Sequence, residues 1–140
     1  MTYTIKEVAQ KVGLSIYTLR FYDKQGLLPF VMRNAAGYRT FTDSDLSIIH
    51  TICYLKNTDM KISDIRQYID YVMVGPATID KRAKLLSEQR NKVLAKQKQL
   101  TESLGEIDYK LNIYNSPEAE QIIKQARAYV KNEKQLSDHF

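Results

Sequence analysis

Ser15-Ile16-Tyr17-Thr18-Leu19-Arg20-Phe21-Tyr22-Asp23-Lys24-Gln25-Gly26-Leu27-Leu28-Pro29 is a short helix bracketed by its own start and stop signals. The Ser15 hydroxyl can accept an orphan N–H of a first turn. Gly26 can take the left-handed conformation just past a helix end, and a residue before proline, here Leu28, is pushed out of the α region. Ile16, Leu19 and, less cleanly, Asp23 share one face. Tyr17, Thr18, Arg20, Tyr22 and Lys24 fall on the others, and such hydroxyls, aromatics and cations suit phosphates and base edges.

Working outward, Thr4-Ile5-Lys6-Glu7 reads as a capping box. Ile5, Val8, Ala9 and Val12 then keep helical spacing until Gly13. Two short helices separated by Gly13-Leu14 make a helix-turn-helix. On the other side, residues 30–41 predict a small hairpin, or wing, with a turn over 34–37. Arg33 and Arg39 flank its tip and suit phosphate or minor-groove contact; the plainer alternative is a loop with two exposed cations. Thr42 and Asp45 predict a third helix with Leu46, Ile49, Ile52 (or Cys53) and Leu55 (or Lys56) inward, broken at 57–59. Ser63 is expected to cap a fourth helix carrying Ile65, Tyr68, Ile69 and Val72, ended by Gly75-Pro76.

From residue 78 to 114 there is no proline and one glycine, Gly105. Positions 79, 83, 86, 90, 93, 97, 100, 104, 107, 111 and 114 alternate steps of four and three and are apolar or aromatic except Arg90 and Gln97. That is a coiled-coil pattern. Four small helices cannot cover such a stripe, so a second copy is the expected partner, a homodimer through 78–114; packing back on its own domain is the alternative. Ser116 as N-cap with Pro117 at N1 predicts a last helix through Ile122, Ile123, Ala126, Tyr129 and Val130, followed by a frayed polar end over 132–140.

The 140 residues carry a formal net charge of +5, with 44% hydrophobic and 26% charged residues. Residues 1–41 hold six Lys/Arg against two acids, whereas 42–75 hold three against five, so the basic end fits an anionic partner and the acidic segment a supporting role. No run approaches the roughly 18 apolar residues of a membrane span, and the N-terminus has no signal-peptide pattern; a cytoplasmic protein without a membrane partner is expected. One cysteine excludes an internal disulfide and a multi-thiolate metal site. Neither a metal nor a cofactor is called for. An enzyme is not indicated, because no nucleophile triad, carboxylate pair or phosphate loop is present.

Residues 18–29, followed by Gly37-Tyr38-Arg39-Thr40-Phe41 and Asp45-Leu46, resemble the MerR family of bacterial transcription regulators. The resemblance continues through Leu55-Lys56, Met60, Ile62-Ser63 and Ile65-Arg66 into the long helix, covering about residues 3–114. It implies a mainly α fold: a winged helix-turn-helix DNA-binding domain with a supporting helix pair (1–75), a long dimerisation helix paired antiparallel with its mate (78–114), and a short C-terminal helix and tail (116–140). It implies promoter DNA with an overlong −10/−35 spacer as target, distortion of that spacer in response to an effector, and RNA polymerase as the reader. Tyr17, Thr18, Arg20 and Tyr22 are the implied contacts of the recognition helix, and Arg33, Tyr38 and Arg39 those of the wing.

The metal-sensing branches of that family carry cysteines where this chain has Thr78-Ile79-Asp80 and Asn115-Ser116-Pro117. The drug-sensing branches carry a large C-terminal domain, which 26 residues after Tyr114 cannot form. What remains is similar to the aldehyde- and thiol-stress members, with a small molecule or an electrophile as effector. Counted back from the turn at Asp59-Met60, their sensing-cysteine position falls on Tyr54, and Cys53 is one residue off, about 100° around the helix. Cys53 is either an inert core residue or a sensing thiol; Tyr54 and Tyr68 are the other candidates at an effector site. His50 reads as a surface or half-buried helix residue. The alternative to a switchable regulator is an architectural DNA-binding or coiled-coil interaction protein without inducer response.

Overall fold

The computed structural model describes residues 1–135, so the expected fraying of the last residues and His139 lie in part or wholly outside the described residues. Helix α1 (Ile5–Val12) begins at the capping box: the Glu7 N–H donates to Thr4 Oγ1 (3.2 Å) and the Thr4 N–H to Glu7 Oε1 (3.1 Å). It ends at Gly13, whose φ of 71° is left-handed. Helix α2 (Ile16–Lys24) is capped by Ser15 Oγ, which accepts the Thr18 N–H (3.0 Å). Gly26, one residue past the end of the helix at Gln25, has φ of 81°, and a Cβ there would sit 3.2 Å from Arg66 Nε.

The hairpin forms from β2 (Met32–Arg33) and β3 (Arg39–Thr42), and a strand β1 (Thr2–Tyr3) joins the far edge in the order β1-β3-β2. Register pairs Thr2 with Thr42, Tyr3 with Phe41, Met32 with Thr40, and Arg33 with Arg39. Two residues at a chain end give no alternating pattern, so β1 was not legible. Its Tyr3 hydroxyl donates to Asp43 Oδ1 (2.7 Å), the chief reason its acidity is weakened, and Lys11 Nζ lies 4.9 Å from its ring centroid.

Helix α3 (Asp43–Asn57) has the expected reciprocal cap between Thr42 and Asp45, and the chain turns through left-handed Asp59 (φ 63°). Helix α4 (Ile62–Val74) starts earlier than expected: its N-cap is Lys61, whose carbonyl accepts the Asp64 and Ile65 N–H groups, so Ser63 lies inside the first turn and does not cap. Pro76–Thr78 form one 3₁₀ turn before helix α5 (Ile79–Tyr114), 36 residues long and thus about 54 Å end to end. The C-terminal helix α6 (Ala119–Lys134) starts two residues later than expected, with Glu118 rather than Ser116 at its N-cap. Ser116 offers its carbonyl to the Ala119 N–H in a turn, its hydroxyl has no hydrogen-bond partner, and the helical ladder opens with Glu118 O accepting from Ile122.

Two compact units result, Met1–Val93 and a second beginning at Leu94. The first unit takes in the start of α5. The reason is packing: Leu85 and Leu86 of α5 lie against the core, and Gln89, 8% exposed, donates through Nε2 to Thr58 O (3.1 Å) and Thr58 Oγ1 (2.9 Å). The core of this unit is Val8, Leu19, Leu27, Leu28, Phe41, Ile49, Ile52, Ile65 and Ile69, all essentially without solvent contact. The second unit carries the rest of the heptad stripe; Leu100, Leu104, Ile107, Leu111 and Tyr114 are exposed. Among the described residues no helix is long and apolar enough to cross a membrane.

Phe41 joins the sheet to the helices and is fully buried. Phe41→Ala is expected to lower unfolding free energy by about 3–5 kcal/mol, read from urea unfolding followed by circular dichroism.

Candidate nucleic-acid interface

The wing is built on Asn34. Its side-chain oxygen accepts the N–H groups of Ala36 and Tyr38 (both 3.0 Å), its own N–H donates to Tyr38 O (2.8 Å), and its carbonyl accepts from Gly37 (2.9 Å), which sits at φ 86°. This self-bonded turn is the geometry that the Asn side chain and Gly backbone permit. It leaves Tyr38 exposed at the tip.

Register sets Arg33 directly opposite Arg39, and two like charges across a strand pair repel. Each has an acceptor. Arg33 Nη1 donates to Gly37 O (2.7 Å), closing the wing on itself. Arg39 Nε donates to Asp23 Oδ2 (2.7 Å), with the two side chains 19% and 28% exposed. Asp23 lies on α2, so this ion pair ties the wing to that helix. A guanidinium has five donors, so one bond to Asp23 does not exhaust Arg39.

Arg20, Arg33, Tyr38 and Arg39 line one groove of about 580 Å³ between α2, the wing and the strand β1, together with Asn34, Thr40 and Glu7. Three guanidinium groups from two elements around a single groove outweigh the one carboxylate of Glu7, and guanidinium forks match phosphate oxygens and guanine edges. Tyr17 does not line this groove; it lies on the exposed side of α2, 79% exposed. Thr18 is half-buried, with its hydroxyl 2.9 Å from that of Ser15.

Tyr22 requires a correction. It is 6% exposed and belongs to the core, because it lies three residues after Leu19 on the inward face. Burial raises its pKa, and Cys53 nearby adds to the shift. It does not stand on the open face as expected. Asp23 was placed on the inward face by spacing, but its link to Arg39 was not visible, since no local pattern reports a pairing across sixteen residues.

The three residues expected at an effector site differ in setting. Cys53 and Tyr68 are half-buried against the core, while Tyr54 is 45% exposed, its ring edge-on to His50 at 5.7 Å between centroids. Burial raises the Cys53 pKa, the opposite of the activation a reactive thiolate needs. Among the described residues no group of three or more His, Cys, Asp or Glu is placed to hold a metal ion.

Comparison with known proteins agrees with this architecture. The family described as MerR HTH family regulatory protein matches residues 3–72. An uncharacterized HTH-type transcriptional regulator of Haemophilus influenzae is 42% identical over 119 residues, covering 85% of this chain and 88% of that protein. The regulator YyaN of Bacillus subtilis is 30% identical over 129 residues, 83% of this chain and 93% of that one. Among solved structures, HiNmlR, a MerR family regulator lacking the sensor domain and bound to promoter DNA, superposes with a TM-score of 0.77 at 42% identity, over 85% of this chain and 94% of that chain.

Cys53 and Tyr22 both have raised pKa values in the fold. A folded pKa above the unfolded one gives stability that is present at lower pH and lost as pH rises through the range. The urea midpoint is therefore expected to fall as pH climbs past 9.0, the ordinary thiol value, and Cys53→Ala is expected to flatten the lower part of that decline. A midpoint that rises with pH would contradict the assignment.

Proposed function

The chain belongs to the MerR helix-turn-helix family of transcription regulators, and from that premise we propose that it binds a pseudo-palindromic promoter site as a homodimer and switches transcription by distorting the spacer. The observation that carries this reading is the groove in which Arg20 of α2 meets Arg33, Tyr38 and Arg39 of the wing. Tyr17, Thr18 and Arg20 are assigned to the recognition helix, and Arg33, Tyr38 and Arg39 to phosphate or minor-groove contact.

Homodimerisation is supported by Leu100, Leu104, Ile107, Leu111 and Tyr114, which keep heptad spacing and are exposed among the described residues. We assign them to an antiparallel pairing of two α5 helices. Two modules on a two-fold axis read two half-sites. Bending and untwisting the spacer costs on the order of 1–6 kcal/mol, and differential effector binding is what offsets it. RNA polymerase reads the realigned promoter. The half-buried Cys53, with its raised pKa, is read as a packing residue; its replacement by Ser is expected to leave the response to electrophiles intact, and loss of that response would reverse the assignment.

The test is a footprint on the DNA upstream of the protein's own gene. Protection spanning a −10/−35 spacer longer than usual is the expected result; binding without promoter overlap would favour an architectural role. Arg20→Ala should weaken binding tenfold or more at matched salt, on the order of 1–3 kcal/mol per lost Arg contact, with an unchanged circular dichroism spectrum. Parent-like affinity would remove Arg20 from the interface.

A further inference from the structure

The joint between α4 and α5 is held by side chains that neither the DNA groove nor the dimer stripe uses. Gly75 ends α4 with φ of 105°; its N–H still donates to Tyr71 O (3.2 Å), and the carbonyls after Tyr71 are left without intrahelical donors. Thr78, 5% exposed, places its hydroxyl 2.6 Å from Tyr71 O and 2.7 Å from Gly75 O. Arg82, one turn into α5, reaches back over the same place. Its Nε donates to Thr78 Oγ1 (3.0 Å), and its Nη2 to Gly75 O (2.9 Å), to Tyr71 O (3.2 Å) and, at the limit of reach, to Val72 O (3.5 Å). A rigid, permanently charged fork at the negative end of a helix is well placed electrostatically. It also fixes direction, because a planar group held on several acceptors tolerates little rotation.

Seven residues further, on the same face of α5, Gln89 bonds to Thr58 in the α3–α4 turn. Leu85 and Leu86 pack between these two points. The start of α5 is thus pinned at two places about 10.5 Å apart along its axis, with apolar contact between.

We propose that Arg82, with Thr78, is a positioning residue that sets which separation of DNA half-sites the protein accepts. This rests on the paired-site reading above. The direction in which α5 leaves the DNA-binding unit fixes where the second recognition helix falls, and one base pair moves a half-site by about 3.4 Å and turns it by about 35°. Arg82, which neither lines the groove nor holds a heptad position, then acts on spacing rather than on base or phosphate contact.

The experiment uses the full chain and a series of duplexes carrying the footprinted half-sites, their separation changed one base pair at a time at fixed salt. The parent is expected to prefer one separation over its neighbours by about tenfold. Arg82→Ala should compress that preference to about threefold or less while keeping affinity for a duplex with a single half-site. Arg82→Lys, which retains the charge but not the fork, should fall between and guards against a folding failure, its melting temperature being measured alongside. If Arg82→Ala keeps the parent's profile, or loses affinity equally at every separation, the inference is overturned. A parent with no preferred separation would overturn the paired-site reading itself, and the inference with it.

Discussion

One ion pair ties the two elements that build the basic groove. Asp23 and Arg39 join helix α2 to the wing at 2.7 Å, with both side chains partly shielded from solvent. Exposed pairs of this kind contribute little to stability, about 0–1 kcal/mol, and this one is only partly desolvated. Its weight is geometric. The strand register sets Arg33 against Arg39, and the acceptor on the helix side draws Arg39 away from Arg33, whose own guanidinium bonds back to Gly37 O. By holding Arg39, the carboxylate gives a fixed relation between two elements whose covalent connection runs through residues 25–31.

Much of the fold was legible because its signals are local. Thr4 with Glu7, Ser15, and Thr42 with Asp45 cap helices where their side-chain chemistry says they should. Apolar spacing found Leu19, Ile49, Ile52, Ile65 and Ile69, all buried. The misses share a cause as well. Ser63 and Ser116 are chemically able caps, but the turns at Asp59 and at Pro117 set the helix starts by backbone geometry instead, before the one and after the other. Strand β1 owes its existence to a partner forty residues away.

For the site, residue type is legible in sequence and facing is less so. Arg20, Arg33, Tyr38 and Arg39 line a common groove. Tyr22 shows why phase matters beside chemistry: three residues after Leu19, its ring turns inward. Arg82 and Gln89 were invisible for a different reason. Both sit in a polar stretch of α5 where the heptad count draws attention to Leu86 and Val93, and their partners are backbone carbonyls and a threonine in other elements.

The exposed stripe on the later turns of α5 carries a consequence for behaviour in dilute solution. On the proposed pairing, the apolar side chains from Leu100 to Tyr114 are withdrawn from water only in the company of another chain, so their contribution to folding obeys mass action. The population able to span two half-sites then scales with the square of free protein concentration at the dilute limit. A modest change in synthesis or turnover would move promoter occupancy disproportionately, a sharpening of response that arises from assembly alone.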